Sequence, residues 1–187
     1  MVVSLRRRRF TLEEYQRMGE MGILEDDERV ELIEGEVVEM TPIGPAHGSV
    51  VARLVALLVS RLGDRAIVWP QNSLVLRTHA SQLQPDILLL RPREDYYRFA
   101  NPEPRDVLLA IEVMDSSADH DRRVKLPLYA GAGLAEVWLV DVTADTVETF
   151  RDLAGGEYRD RRVAGRGDVV EPLAFPDLTL AVAAVLG

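Results

Sequence analysis

Residues 107–114 read Val-Leu-Leu-Ala-Ile-Glu-Val-Met, an apolar run interrupted by one acid, Glu112. A run without polar alternation marks a strand buried on both faces, as at the centre of a sheet. Upstream, residues 83–90 (Leu-Gln-Pro-Asp-Ile-Leu-Leu-Leu) repeat the pattern and also hold an acid, Asp86, directly after Pro85. Two carboxylates in what should be the driest strands of a fold are costly unless something cationic compensates them. A divalent cation held between neighbouring strands would do so, since carboxylates, a backbone carbonyl and water suit Mg2+ or Mn2+. A single lysine follows, Lys125; the other 21 of the 22 basic residues are arginines. Arginine is a broad planar fork, whereas lysine is a compact point charge that can approach a phosphate or a water. Asp86, Glu112 and Lys125 therefore read together as metal-assisted phosphodiester hydrolysis. Taken singly, each acid is as readily a turn residue or half of an arginine pair. Pro176-Asp177 repeats the proline-aspartate dipeptide without that company.

Around these strands the pattern predicts a mixed α/β (α+β) fold. Thr11 with Glu14 three residues on forms a capping box before a short helix, residues 12–19. Residues 29–40 predict a hairpin turning at Glu34-Gly35. A helix over 47–62, with Val51, Leu54, Val55, Leu58 and Leu62 at helical spacing and Gly63 closing it, should cover one face of the sheet. Residues 66–77 read as a further central strand, 119–130 as a helix and 135–141 as the next strand. Residues 92–104, with Tyr96, Tyr97 and Phe99, read as a packed surface loop. Segments 146–151 and 157–163 form a hairpin through Gly155-Gly156, and 178–186 ends as strand or helix. No linker composition divides the chain, so one domain over 1–187 with a flexible arm at 1–9 is expected.

The formal charge of −9 and the pI near 4.9 disfavour a surface built to coat nucleic acid. They leave a nuclease open, because carboxylates that bind metal are neutralised by it; setting three aside takes −9 only to −6. Contact with DNA would then be local, through arginines and metal. Arg53 interrupts the longest apolar stretch, residues 50–59, so no membrane span is expected; zero cysteines and no export-type leader point to the cytoplasm. No phosphate-cradling glycine loop, nucleophile elbow or dinucleotide fingerprint occurs, and no two of His47, His79 and His120 share a zinc-ligand spacing. His47 is expected to cap its helix or touch phosphate.

The motifs Phe10-Thr-Leu-Glu-Glu-Tyr, Arg29-Val-Glu-Leu-Ile-Glu-Gly-Glu-Val-Val-Glu-Met, His47, Gln84-Pro-Asp, Ile111-Glu-Val, Tyr129 and Glu136-Val-Trp-Leu-Val-Asp span most of the chain. Together they resemble the PD-(D/E)xK nuclease superfamily, in a branch of bacterial endonucleases first catalogued as a domain of unknown function. The resemblance implies a restriction-endonuclease-like central mixed sheet flanked by helices, acting on DNA as a homodimer. It implies Asp86, Glu112, the carbonyl of Val113 and Glu31 as ligands of Mg2+ or Mn2+, and Lys125 as the catalytic lysine. His47 and Gln84 fall where substrate could be touched. The chain departs from the pattern in placing Met114 where the superfamily's lysine stands, in Asp115, and in Pro127 close after Lys125. The competing reading is a non-catalytic nucleic-acid-binding or regulatory module that kept the fold.

Overall fold

The computed structural model describes residues 7–25, 28–115 and 120–187. Residues 1–6 of the arm expected at 1–9, residues 116–118 and the expected helix start at Asp119 lie outside them.

Helix α1 (Leu12–Glu20) begins as its capping box predicts, Thr11 and Glu14 bonding each other's backbone N–H. Strands β1 (Val30–Ile33) and β2 (Glu36–Glu39) form the hairpin, with Glu34 and Gly35 both at positive φ (47° and 83°), as a two-residue turn of this twist requires. Helix α2 (Pro45–Leu62) lays Val50, Val51, Leu54, Leu58 and Leu62 onto the main sheet, and Gly63 ends it at φ 53°.

Two apolar runs that read as single strands are each cut and shared between two sheets. Residues 66–77 divide into β3 (Ile67–Pro70) and β4 (Leu74–Leu76), and residues 83–90 extend back into β5 (Ser81–Leu83) before β6 (Ile87–Leu90). The breaks lie side by side: Gln71, at φ 49°, donates its N–H to the carbonyl of Asp86 at 3.0 Å. Pro70 sits on an edge strand and Pro85 in the crossing, where no ladder N–H is needed. Strands β1, β2, β4 and β5 make a four-stranded sheet in the order β2-β1-β5-β4.

The main sheet runs β10-β9-β8-β7-β6-β3, with β7 (Val107–Met114) and β8 (Val137–Asp141) at its centre. Those two are parallel; the other pairs are antiparallel, so the sheet is mixed as expected. Between them runs a π-helical turn, Asp121–Lys125, followed by α3 (Leu126–Gly131). Strands β9 (Thr146–Ala154) and β10 (Glu157–Gly165) turn at Gly155-Gly156. The last segment is both things its sequence allowed: β12 (Leu180–Ala181), paired with β11 (Val169–Val170), and then α4 (Val182–Leu186).

Alternation along β6, β7 and β8 divides the core. Leu89, Ile111, Val113, Trp138 and Val140 face α2, whereas Leu88, Ala110, Met114, Val137 and Leu139 face α3 and the small sheet. Met114 is fully buried in that second cluster, so the position where the superfamily keeps a lysine is core here. Trp138 is fully buried in the core, while Trp69 is half-buried against Tyr97. The 92–104 loop is mixed: Tyr97 is buried, but Tyr96 and Phe99 are exposed. Contrary to the expectation from Arg53, Pro45–Arg65 is long and apolar enough to cross a membrane by length and composition, at mean hydropathy 1.3. Its apolar stripe lies on the main sheet.

Gly35 is constrained twice. Besides its φ of 83°, an added Cβ would lie 2.7 Å from Cβ of Arg9 and 2.8 Å from the carbonyl oxygen of Phe10. Gly35→Ala is expected to destabilise the protein by roughly 1–3 kcal/mol in denaturant unfolding. Gly19→Ala, with nothing within 4 Å of the new methyl, should be neutral or stabilise by up to about 1 kcal/mol.

Candidate active site

Two neighbouring strands of the main sheet position the first acids: Asp86 immediately precedes β6 and Glu112 lies within β7. Antiparallel pairing sets Ile87 of β6 opposite Ile111 of β7, which brings Asp86 beside Glu112 and Val113. Asp86 Oδ2 accepts the Val113 N–H at 2.8 Å, and the Asp86 N–H reaches Glu112 Oε2 at 3.4 Å. Nε2 of His47, in the first turn of α2, stands 3.0 Å from the same Asp86 Oδ2. The expected capping role is not taken: the N-cap, Gly44, has no side-chain partner, and His47 turns inward.

Glu31 arrives from the small sheet, on β1, where Gln84 fastens it by donating its N–H to Glu31 Oε1 at 2.6 Å. The Gln84 side chain in turn donates to the carbonyl of Val30 at 3.3 Å. Lys125 closes the set from the π-helical turn, its Nζ 2.9 Å from Glu31 Oε1 and 3.3 Å from Glu112 Oε1. The turn resolves what Pro127 does to the helix. Leu126 donates its N–H to the carbonyl of Asp121, five residues back, and the proline follows in the first turn of α3. Widening the helix there relieves the ring's clash with the preceding turn and sends Lys125 inward.

Asp86, Glu112, Glu31, Lys125, His47 and Gln84 thus line one cleft of about 310 Å³. Val113 is not among the residues that line the cleft; its N–H donates to Asp86 Oδ2 behind it. Two participants were missed from sequence. Tyr129 is wholly buried and donates its hydroxyl to Glu112 Oε1; its place four residues after Lys125, on the same helix face, was the available signal. Asp121 is buried and lines the cleft, but its neighbours Asp119, His120 and Arg122 gave it the look of a solvated helix start. Asp115 and His120 also line the cleft.

Carboxylates outnumber cations. Glu31, Asp86, Glu112 and Asp121 are all at least nine-tenths buried, and Lys125 is the one buried ammonium among the described residues. Burial therefore pushes Glu112 up to about 8; Asp121, Asp86 and Glu31 push the same way, and Lys125 only partly offsets them. Burial disfavours the charge of Lys125, but Glu112, Glu31 and Asp121 outweigh it and hold the amine protonated. Burial, with the negative charge of Glu112 beside it, raises the Tyr129 hydroxyl well above its ordinary range.

An excess of oxygen donors over cations suits a hard divalent ion, so the donor chemistry fits Mg2+ or Mn2+. Among the described residues, no three His, Asp or Glu side chains converge into a metal cage. What lies between Glu31 and Glu112 is the Lys125 amine.

The Uma2 family model, described as "putative restriction endonuclease", matches residues 12–183. The chain belongs to the Uma2 family. This places it in the PD-(D/E)xK superfamily, with the mixed sheet and flanking helices of a nuclease-like fold. A crystal structure described as "a putative nuclease belonging to DUF820 from Anabaena variabilis" superposes with a TM-score of 0.75 at 19% identity, over 95% of this chain and 97% of that one. At that identity the likeness is one of fold. A search of curated proteins gave no match. The restriction-endonuclease-like families to which Uma2 belongs generally use divalent metal.

The raised Glu112 has a stability signature. Its folded-state value lies above the unfolded one, so its contribution is fully present below about pH 4.5 and is lost as pH rises toward about 8. In chelator, unfolding free energy is expected to fall by roughly 1 kcal/mol per pH unit across pH 6 to 8. Glu112→Gln should flatten that slope; an unchanged slope in urea titrations would show that Glu112 ionises normally.

Proposed function

We propose that this Uma2 protein is a metal-dependent endonuclease that hydrolyses phosphodiester bonds of DNA. The observation that carries the reading is the meeting of Glu31, Glu112 and Lys125, from two sheets and a helix, within 3.3 Å. Three distant segments rarely bury such charges together without a use for them, because each buried ion costs several kcal/mol.

Asp86, Glu112 and Glu31 would hold Mg2+ or Mn2+, which when bound supplies a Lewis acid for the phosphate and lowers the pKa of its water. Asp86 is held for that task by the Val113 N–H and His47. Tyr129 orients one oxygen of Glu112, leaving the other toward Asp86. Lys125, kept protonated by its acidic neighbours, acts as a fixed positive charge rather than a base. It steadies an attacking water and the charge that grows on the phosphate oxygens. His47 and Gln84 stand at the cleft where the substrate backbone would pass.

Purified protein is expected to nick supercoiled plasmid with Mg2+ or Mn2+ and not in chelator. Asp86→Asn and Lys125→Ala should each lower the rate at least about a hundredfold. Absence of nicking with either metal across a range of salt, or a Lys125→Ala rate equal to wild type, would overturn the assignment. DNA binding that is indifferent to metal, with no cleavage, would favour the non-catalytic module instead.

A further inference from the structure

Lys125 reaches the cleft only if the segment that carries it lies at one angle to the sheet. Its apolar neighbours Val124 and Leu126 are partly buried on the floor of the second core cluster. Such contact is non-directional and allows the segment to roll. Arg122, three residues before Lys125, adds a directional contact with the main sheet.

The sheet register explains how. Leu139 of β8 is paired with Glu112 of β7 on one side and with Glu148 of β9 on the other, so the three form a row across the sheet with side chains on one face. Glu112 and Glu148 are therefore two strand spacings apart, about 10 Å. The π-helical turn lies over this row, with Lys125 on Glu112 and Arg122 on Glu148 Oε1. Glu148 is 2% exposed, an acid in the sheet whose charge the proposed chemistry does not use. Its other oxygen, Oε2, takes Arg161 of β10 at 2.7 Å. Arg122 also reaches Asp141 Oδ2, at the end of β8, at 3.4 Å.

We propose that Arg122 is a positioning residue, docked on Glu148 and Asp141 so that the turn delivers the Lys125 amine to Glu31 and Glu112. This rests on the nuclease reading for its consequence in catalysis, but not for its geometry. The Arg122–Glu148 pair lies outside the cleft, and Arg161 of β10 holds the other oxygen of the same carboxylate.

The single lysine supplies a direct probe, since protein labelled only in its lysine side chain gives one side-chain NMR signal. Arg122→Gln and Glu148→Gln are expected to shift or broaden that signal and to lower kcat for plasmid nicking at least tenfold, with KM within twofold. Arg161→Gln removes the other ion pair of Glu148 and is expected to leave the signal in place, which separates positioning from general loosening. The proposal is overturned if Arg122→Gln leaves the Lys125 signal where it is in wild type, or if Arg161→Gln moves it as far. If a core variant fails to fold, Asp141→Asn loosens the same guanidinium from the strand end and must shift the signal in the same direction. A wild type that nicks nothing, with signals behaving as expected, would leave the positioning intact and remove the nuclease reading alone.

Discussion

One ammonium serving several buried carboxylates is the interaction on which the site depends. Lys125 is held between Glu31 and Glu112, with Asp121 buried nearby, and its charge is insufficient to neutralise them. The deficit appears at Glu112, the acid with the raised pKa. Remove the lysine and the acids would face one another across a dry pocket; remove the acids and a buried amine would have no counter-ion. Neither half is stable without the other.

That balance is a product of three elements arriving from different directions. The main sheet supplies Asp86 and Glu112 through the pairing of β6 with β7, the small sheet supplies Glu31, and the helical connection from β7 to β8 supplies Lys125 and Tyr129. The connection is short, and Pro127 prevents it from being a regular helix throughout. A π-helical turn accommodates the proline, and the displacement of one residue per turn is what points Lys125 into the cleft. Met114, at the strand position, is taken up by the core, and the ammonium beside Glu112 comes from the helical connection.

The crossing between sheets is the second structural device. β3 and β4, and likewise β5 and β6, are each consecutive in the chain but lie in different layers. The two crossings meet at the Gln71–Asp86 hydrogen bond, so Asp86 stands where the main and small sheets part. Glu31 and Glu112, one from each sheet, can then face the same space. Gln84, inside the crossing, ties Glu31 in place through its backbone N–H.

Periodicity and turn chemistry sufficed for the capping box at Thr11, the Glu34-Gly35 hairpin, α2, the central strand around Glu112 and the strand–helix–strand order that follows, because each depends on neighbours in sequence. The acids at 86 and 112 were legible for a related reason: a carboxylate inside an apolar run is anomalous wherever the run folds. The chain by itself could not reveal that two apolar runs are cut and shared between sheets, since hydrophobic residues continue on both sides of each break and only long-range pairing assigns them. Nor could it reveal Asp121 as a member of the site, or Glu148 as the seat of Arg122. Those roles are decided by which side chains meet across strand registers and a widened helical turn, and a register is set by the packing of the whole sheet rather than by any local stretch.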